Sequence, residues 1–445
     1  MRCTASTKIK LLFLSLLLIL IWKTSIFYCE NQRPIHENVA SIIIETSLSS
    51  TLLYSTTRSS LSSSSLSSPS TSNPAYVLPS KISKFKIIHA AVVLSLSKQT
   101  SHIAEFHLLY ESWRFLQIFA PLSEQVIVDL LVFCEMPSCY QLPLTCIPIS
   151  YDHKLNSIPR CFYEKLEPRI VWNWKDYLYM TSIAFMLTPQ YQRATQNYQW
   201  ILRVDQDAVL SPALLMGLAR KHPVKLLNMQ FGGIGHGTEF TNNRLRIIAQ
   251  KLGYKHVGIH NLCSTWLVNP QDSIRIANLT THIGRYLLQN EFGRHVSGIE
   301  DLPTIGEWPK WWRGVTSLYA GEIAINHIYS STLGHQHEST TLDHSADSQS
   351  SLWNAWHIHC LHNPTYFAKF QHRIDLFFFV HYFQASRIRT IKNYYSVELI
   401  IKRIINEFED MYIRNETIQR TVTVRDYVTV LAWRKAYAAT GAINL

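Results

Sequence analysis

Two carboxylates one residue apart, Asp205 and Asp207 in WILRVDQDAVLSP (200–212), end an apolar climb and stand shortly before a proline. Like charges at that spacing either sit on a solvated turn, where aspartate is common, or share a cation. Hard divalent ions prefer oxygen donors, and Mg2+ or Mn2+ takes one or two carboxylates together with substrate phosphates and water. Two protein carboxylates leave most of the octahedron open, which suits a diphosphate. A cation there would neutralise charge on a departing nucleoside diphosphate, the electrostatic part of sugar transfer from an activated donor. Two other stretches hold groups able to complete such a site. WHIHCLH (356–362) offers His357, His359, Cys360 and His362. Alternation puts His357 and His359 on one face of a strand, as metal ligands, as a zinc set with Cys360 or His362, or as core histidines. LYAGEIAINH (318–327) carries Glu322, which on a helix shares a face with Asn326, so both could line a cleft. The structural alternative for Glu322 is a helix N-terminal acid stabilised by the dipole.

The elements that must position these groups are legible from periodicity. KIIHAAVVLSLS (86–97) is a near-continuous, β-branched apolar run, as expected of a strand buried on both faces. Helical periodicity follows over 102–119, strand character over 125–135, a shorter strand over 145–151, helix-like spacing over 174–187 and a strand over 198–205. Ser211 and Pro212 then read as the cap and first turn of a helix. Strand and helix alternate, so the expected fold class is α/β, a mostly parallel twisted sheet flanked by helices. The acidic pair would lie where the strand over 198–205 runs out, and open α/β sheets bind ligands at the carboxyl ends of strands. QFGGIGHGTEFTNNR (230–244) lacks the spacing of a nucleotide-binding fingerprint and reads as an ordinary tight loop, although its glycines could let backbone approach a sugar or phosphate. EWPKWWRG (307–314) offers tryptophans for packing or for stacking on a sugar. An amphipathic repeat over 397–412 should dock as a C-terminal helix.

The 445 residues, 47% hydrophobic, suffice for a sizeable core. The net charge of +11 comes from scattered Lys and Arg without a long basic run, which speaks for general attraction to phosphates or membrane surfaces and against a nucleic-acid partner. Arg2, Lys8 and Lys10 precede LLFLSLLLILIW, and Lys23 can snorkel, so residues 11–29 read as an uncleaved signal anchor, with a removed signal peptide and secretion as the alternative. The Ser- and Thr-rich chain that follows cannot bury enough apolar surface to order itself and reads as a disordered stem. Sequons at Asn278 and Asn415 are compatible with a lumenal side. Of eight cysteines, six lie beyond the stem, with Cys134/Cys139 or Cys146/Cys161 as local pairs and the connectivity otherwise open.

WILRVDQDAVLSP resembles the DxD segment of GT-A fold glycosyltransferases. Together with LYAGEIAINH and WHIHCLH it resembles a little-characterised eukaryotic domain family related to them, over roughly residues 85 to 375. The resemblance implies a nucleotide-sugar over the first half of the sheet, Asp207 in direct contact with Mn2+ or Mg2+, and Asp205 on the metal or on the donor ribose. It further implies a C-terminal histidine as metal ligand, for which His359 is the choice, and a second acidic element that serves as base or acceptor contact. Glu322 is the candidate for that element, with Glu300 and Asp301 of SGIEDLP as a rival match. Many such enzymes are single-pass Golgi or ER proteins with a lumenal catalytic domain. The expected organisation is a cytoplasmic tail (1–10), an anchor (11–29), a stem (30–82), a GT-A-like catalytic domain (83–375) and a C-terminal helical extension (376–445). The expected function is metal-dependent transfer from a nucleotide-sugar to a glycan, protein or lipid acceptor. The alternatives are an inactive GT-A-like binding domain and a zinc-dependent hydrolase on His357, His359 and His362.

Overall fold

The computed structural model describes residues 87–150, 155, 157–220, 229–233, 237–292, 306–307, 309–332, 341–360, 394–416 and 419–439. All of them fall within one compact unit, Pro79–Thr440. The expected tail, anchor and stem lie outside the described residues, as do Glu300, Asp301, His362 and the expected boundary at 375. Among the described residues no helix is long and apolar enough to cross a membrane.

A seven-stranded mixed sheet forms the centre. Its strands are β1 (Ile88–Leu96), β2 (Val126–Cys134), β3 (Cys146–Pro148), β4 (Cys161–Lys165), β5 (Trp200–Arg203), β7 (Gln230–Gly232) and β8 (Thr265–Val268), in the spatial order β3-β4-β2-β1-β5-β8-β7. The run from β3 to β5 is parallel, and β8 is antiparallel to both of its neighbours. The apolar run of β1 explains its central place. Ala90, Val92 and Leu94 enter one core layer and Ala91 and Val93 the other, so the strand is covered on both faces. Helix α1 (Thr100–Leu116) packs on the first layer, where Trp113 donates to the Val128 carbonyl at 2.7 Å. Helix α2 (Pro270–Asn290) lies in the second. Asn269 caps it by accepting from the Asp272 amide at 2.8 Å, and Pro270 occupies its first turn.

The helix expected over 174–187 is instead three short turns, Leu178–Met180, Thr181–Ala184 and Phe185–Leu187. Thr181, Ser182 and Thr188 each turn a hydroxyl back onto the carbonyl three residues earlier, at 2.7 to 2.8 Å, and so compete with a continuous helical ladder. A larger departure concerns the acidic segment. The chain does not pass from β5 straight to a helix but first forms β6 (Ala208–Leu210), which belongs to a second sheet. There β12 (His357–His359) pairs antiparallel with β6 and parallel with β11 (His344–Ser345). A separate two-stranded piece joins β9 (Gly306–Glu307) to β10 (Trp311–Trp312).

The amphipathic C-terminal segment docks against the first layer. Val397, Ile404 and Phe408 of α4 (Tyr394–Phe408) and Tyr427, Val428 and Leu431 of α5 (Val424–Ala439) share one apolar cluster with β1. Tyr427 donates to the Leu210 carbonyl at 2.7 Å, and Trp353 donates to Glu407 at 2.6 Å, which ties these helices to the second sheet. Helix α3 (Thr316–Ile328), which lies between α2 and α4 in the chain, packs along α2. Both local cysteine pairs close as disulfides, Cys134–Cys139 and Cys146–Cys161, the latter joining paired positions of β3 and β4. Cys263 and Cys360 remain buried thiols, so the six cysteines do not all pair.

Candidate functional site

The four residues between β5 and β6 carry the acidic pair out of the central sheet and into the second one. The expected mutual repulsion is answered separately for each carboxylate. Asp205, with its side chain 27% exposed, lies 2.6 Å from the guanidinium of Arg203. Arg203 is itself buried and donates to Ser182 Oγ at 2.8 Å and to the Ser264 carbonyl, so it holds Asp205 in a fixed place. Asp207 is only 1% exposed, which removes the solvated-turn alternative for it. Its countercharge comes from strand register. β12 places His359 opposite Ala208, the Cys360 amide donates to the Asp207 carbonyl at 2.8 Å, and His359 Nε2 then lies 3.3 Å from Asp207 Oδ1.

One ligand atom each from Asp205, Asp207 and His359 therefore lie within 4.8 Å of one another, just past the carboxyl end of β5. Two hard carboxylates and one imidazole make a donor set that fits Mn2+ and, with more solvent oxygens, Mg2+. Burial lowers the affinity of His359 for its proton, but Asp207 and then Asp343 outweigh it and hold the imidazole well above its usual pKa.

Asp343 was not legible as a site residue. It stands in a polar stretch with no motif, and only the pairing of β11 with β12 brings it beside the histidines. Its Oδ1 lies 3.0 Å from His357 Nδ1 and 3.5 Å from His359 Nδ1, and it accepts from Thr265 at 2.6 Å and from the Ser264 hydroxyl. Burial would raise its pKa, yet His357 and then His359 hold the carboxyl well below its usual range. His357 and His359 thus share a strand face, as alternation requires, but His357 turns to Asp343 and not to the acidic pair. Cys360 is a poor zinc ligand as well, because burial first and Asp207 second push its thiol well above the usual range.

Glu322 lies in the middle of α3 and is completely buried, so it is not the N-terminal acid of that helix. It does share a face with Asn326, but the face holds a loop of the same chain and not an open cleft. His256 Nδ1 accepts from the Gly258 amide at 3.1 Å, which leaves its Nε2–H to donate to Glu322 at 3.2 Å. His260 Nδ1 lies 2.8 and 2.9 Å from the two carboxylate oxygens, and the Asn261 amide donates at 2.8 Å. Asn326 accepts from the Val257 amide and donates to the Ile259 carbonyl. This clamp holds a loop with Asn261 at φ 60° and Cys263 at φ 94°, in the left-handed region, as it leads into Ser264 and β8.

The glycine-rich stretch clears space for the chain itself. A Cβ on Gly232 would stand 2.2 Å from Asp343 Oδ2, and one on Gly233 would overlap the Asn261 carbonyl. In the tryptophan-rich stretch Trp311 is buried, stacked 4.6 Å from Tyr319 and 5.4 Å from Phe292, so it packs the core, while Trp312 is 37% exposed.

Residues 84–444 match the family model described as Domain of unknown function (DUF7164). No curated protein matches the chain. Among solved structures the chain is similar to the apo form of mouse xyloside xylosyltransferase 1, at 13% identity over 58% of this chain and 87% of that one, with a TM-score of 0.33. It is similar also to the galactosyltransferase LgtC in complex with donor and acceptor sugar analogues, at 8% identity over 53% of this chain and 70% of that one, with a TM-score of 0.28. An active-site mutant of LgtC gives 10% identity over 61% and 86% of the two chains and a TM-score of 0.31.

Proposed function

This chain belongs to the DUF7164 family, and we propose that it is a metal-dependent glycosyltransferase using a nucleotide-sugar donor. The convergence of Asp205, Asp207 and His359 past the end of β5 supports this most directly. Bound Mn2+ or Mg2+ supplies charge neutralisation for the departing nucleoside diphosphate. Asp207 and His359, both buried, form the inner wall of that site, and Asp205 keeps enough exposure to face the donor. Arg203 fixes the Asp205 carboxylate, so the site is preorganised before the donor arrives. Glu322 acts on the acceptor side as a positioning group, because a fully buried carboxylate with its oxygens already accepting from three donors cannot itself meet an acceptor hydroxyl. Its effect passes through the clamped loop, where His260 has a side chain 16% exposed. The acceptor is a glycan, protein or lipid.

We assign the activity to the lumen of the Golgi or ER with residues 11–29 as anchor. The basic-flanked apolar run, the Ser-rich stretch and the two disulfides, bonds that persist in oxidising compartments, support this.

Calorimetry of UDP and GDP against the full chain, with and without Mn2+, tests the site. One nucleotide should bind only when Mn2+ is present, and Asp207→Ala should abolish that binding while leaving the fold intact by circular dichroism. If neither nucleotide binds with Mn2+, the transferase assignment is wrong.

A further inference from the structure

Behind the three proposed ligands stands a carboxylate that the sequence does not mark. Asp343 is completely enclosed at its side chain and occupies a left-handed backbone position, φ 57°, which Asp adopts more readily than most residues but which still costs energy. Four groups converge on it: the hydroxyls of Ser264 and Thr265 from the approach to β8 and from its first residue, and the Nδ1 atoms of His357 and His359 from β12. The neighbouring strand end is glycine where the carboxylate docks, since a Cβ on Gly232 would stand 2.2 Å from Oδ2. A strained, enclosed anion with room cleared for it is more than a packing element needs, because an apolar residue would join the two sheets at lower desolvation cost.

The disposition about His359 gives the anion its purpose. Nδ1 faces Asp343 Oδ1 at 3.5 Å, and Nε2 faces Asp207 Oδ1 at 3.3 Å. A metal-binding imidazole ordinarily gives its second ring N–H to a carboxylate or carbonyl, which fixes both tautomer and ring direction. We propose that Asp343 is a positioning residue of the cation site: it holds the Nδ1–H of His359 and so aims the Nε2 lone pair at the cation shared with Asp205 and Asp207. This rests on the cation site proposed above. The Ser264 and Thr265 hydroxyls hydrogen-bond Asp343 in turn, and His359 Nδ1, which has no other hydrogen-bond partner among the described residues, faces that carboxylate at 3.5 Å, so the central sheet reaches His359 through Asp343. His357 leans on the same oxygen at 3.0 Å and buttresses it without entering the site.

Mn2+ binding to the full chain, followed by calorimetry and by electron spin-echo modulation from coordinated nitrogen, tests the assignment. Wild type should bind Mn2+ with a nitrogen signature that His359→Gln removes. Asp343→Asn should weaken Mn2+ by about 10–100-fold, the range found for outer-sphere partners, and should diminish the nitrogen signature. Thr265→Val, which removes one of the two hydroxyls that fix this carboxylate, should lower Mn2+ affinity by less than Asp343→Asn does and leave the nitrogen signature in place. Unchanged affinity and nitrogen coupling in Asp343→Asn overturn the inference and leave the cation site standing. Absence of Mn2+ binding by wild type overturns both. Nitrogen-15 histidine spectra of the Mg2+-loaded wild type give a reading independent of any variant's folding: His359 should be the Nδ1–H tautomer, and the Nε2–H tautomer refutes the role.

Discussion

Glu322, completely buried, is enclosed by a loop of its own chain. Its carboxylate accepts from His256, His260 and the Asn261 amide, so replacing one oxygen with an amide NH2 sets donor against donor in a dry site. Glu322→Gln should therefore cost about 1–3 kcal/mol of stability, read as a lower urea midpoint at unchanged slope. An unaltered midpoint would show that the loop is held by Asn326 alone. A second residue makes the fold sensitive to acid. Burial first and Lys435 second push His107 down to a pKa of about 3. The native imidazole stays neutral while the unfolded one takes up a proton below its ordinary value of about 6.5. The stability due to His107 is thus fully present above pH 6.5 and declines as pH falls from there toward 3. Urea midpoints between pH 7 and 4 should fall more steeply in wild type than in His107→Gln.

At the scale of elements, the arrangement depends on one helix–loop approach that tolerates no added atom and on one strand register. Helix α3 lies so close to the loop before β8 that a Cβ on Gly321 would stand 1.7 Å from Cys263 Sγ. Gly321 is followed directly by Glu322, so displacing this turn of helix disturbs the clamp as well as the packing. Gly321→Ala should destabilise by about 1–3 kcal/mol, the usual range for overpacking, in spite of the higher helix propensity of alanine. Thermal unfolding of the pair Gly321→Ala and Gly321→Ala/Cys263→Ala checks the cause, since removing the sulfur should restore much of the loss. The register is that of β12 on β6. A slip of one residue would carry His357 and His359 together to the opposite face and separate His359 from Asp207, so the register itself assembles the candidate metal ligands.

In the molecule as a whole, the two ends of the described chain converge on one side of the sheet. Residues of α4 and α5 complete the same apolar layer that β1 begins, and Tyr427 reaches the backbone of β6 beside the acidic turn. The disulfides brace the β3–β4–β2 side of the sheet, and their cysteines enter the same apolar layer. Cys146–Cys161 closes the longer loop, with a sequence separation of 15 against 5, so its loss should cost more, about 2–4 kcal/mol. Urea titrations of the two paired Cys→Ser variants check that order. Neither bond touches the acidic turn, so Mn2+ affinity should survive both.

The sequence by itself determined the alternating architecture, the buried central strand, the acidic pair beyond β5 and the shared face of His357 and His359, because periodicity and local spacing act over a few residues. It could not reveal that Asp207 lies dry beside His359, that Arg203 neutralises Asp205, or that Asp343 stands behind the histidines. Those pairings join residues separated by up to some 150 positions or depend on which face a short strand presents, and no local pattern encodes them. Tertiary structure also decided the surroundings of Glu322: helical spacing showed which neighbour shares its face, and only the fold showed that a loop from elsewhere in the chain fills the space that face looks into.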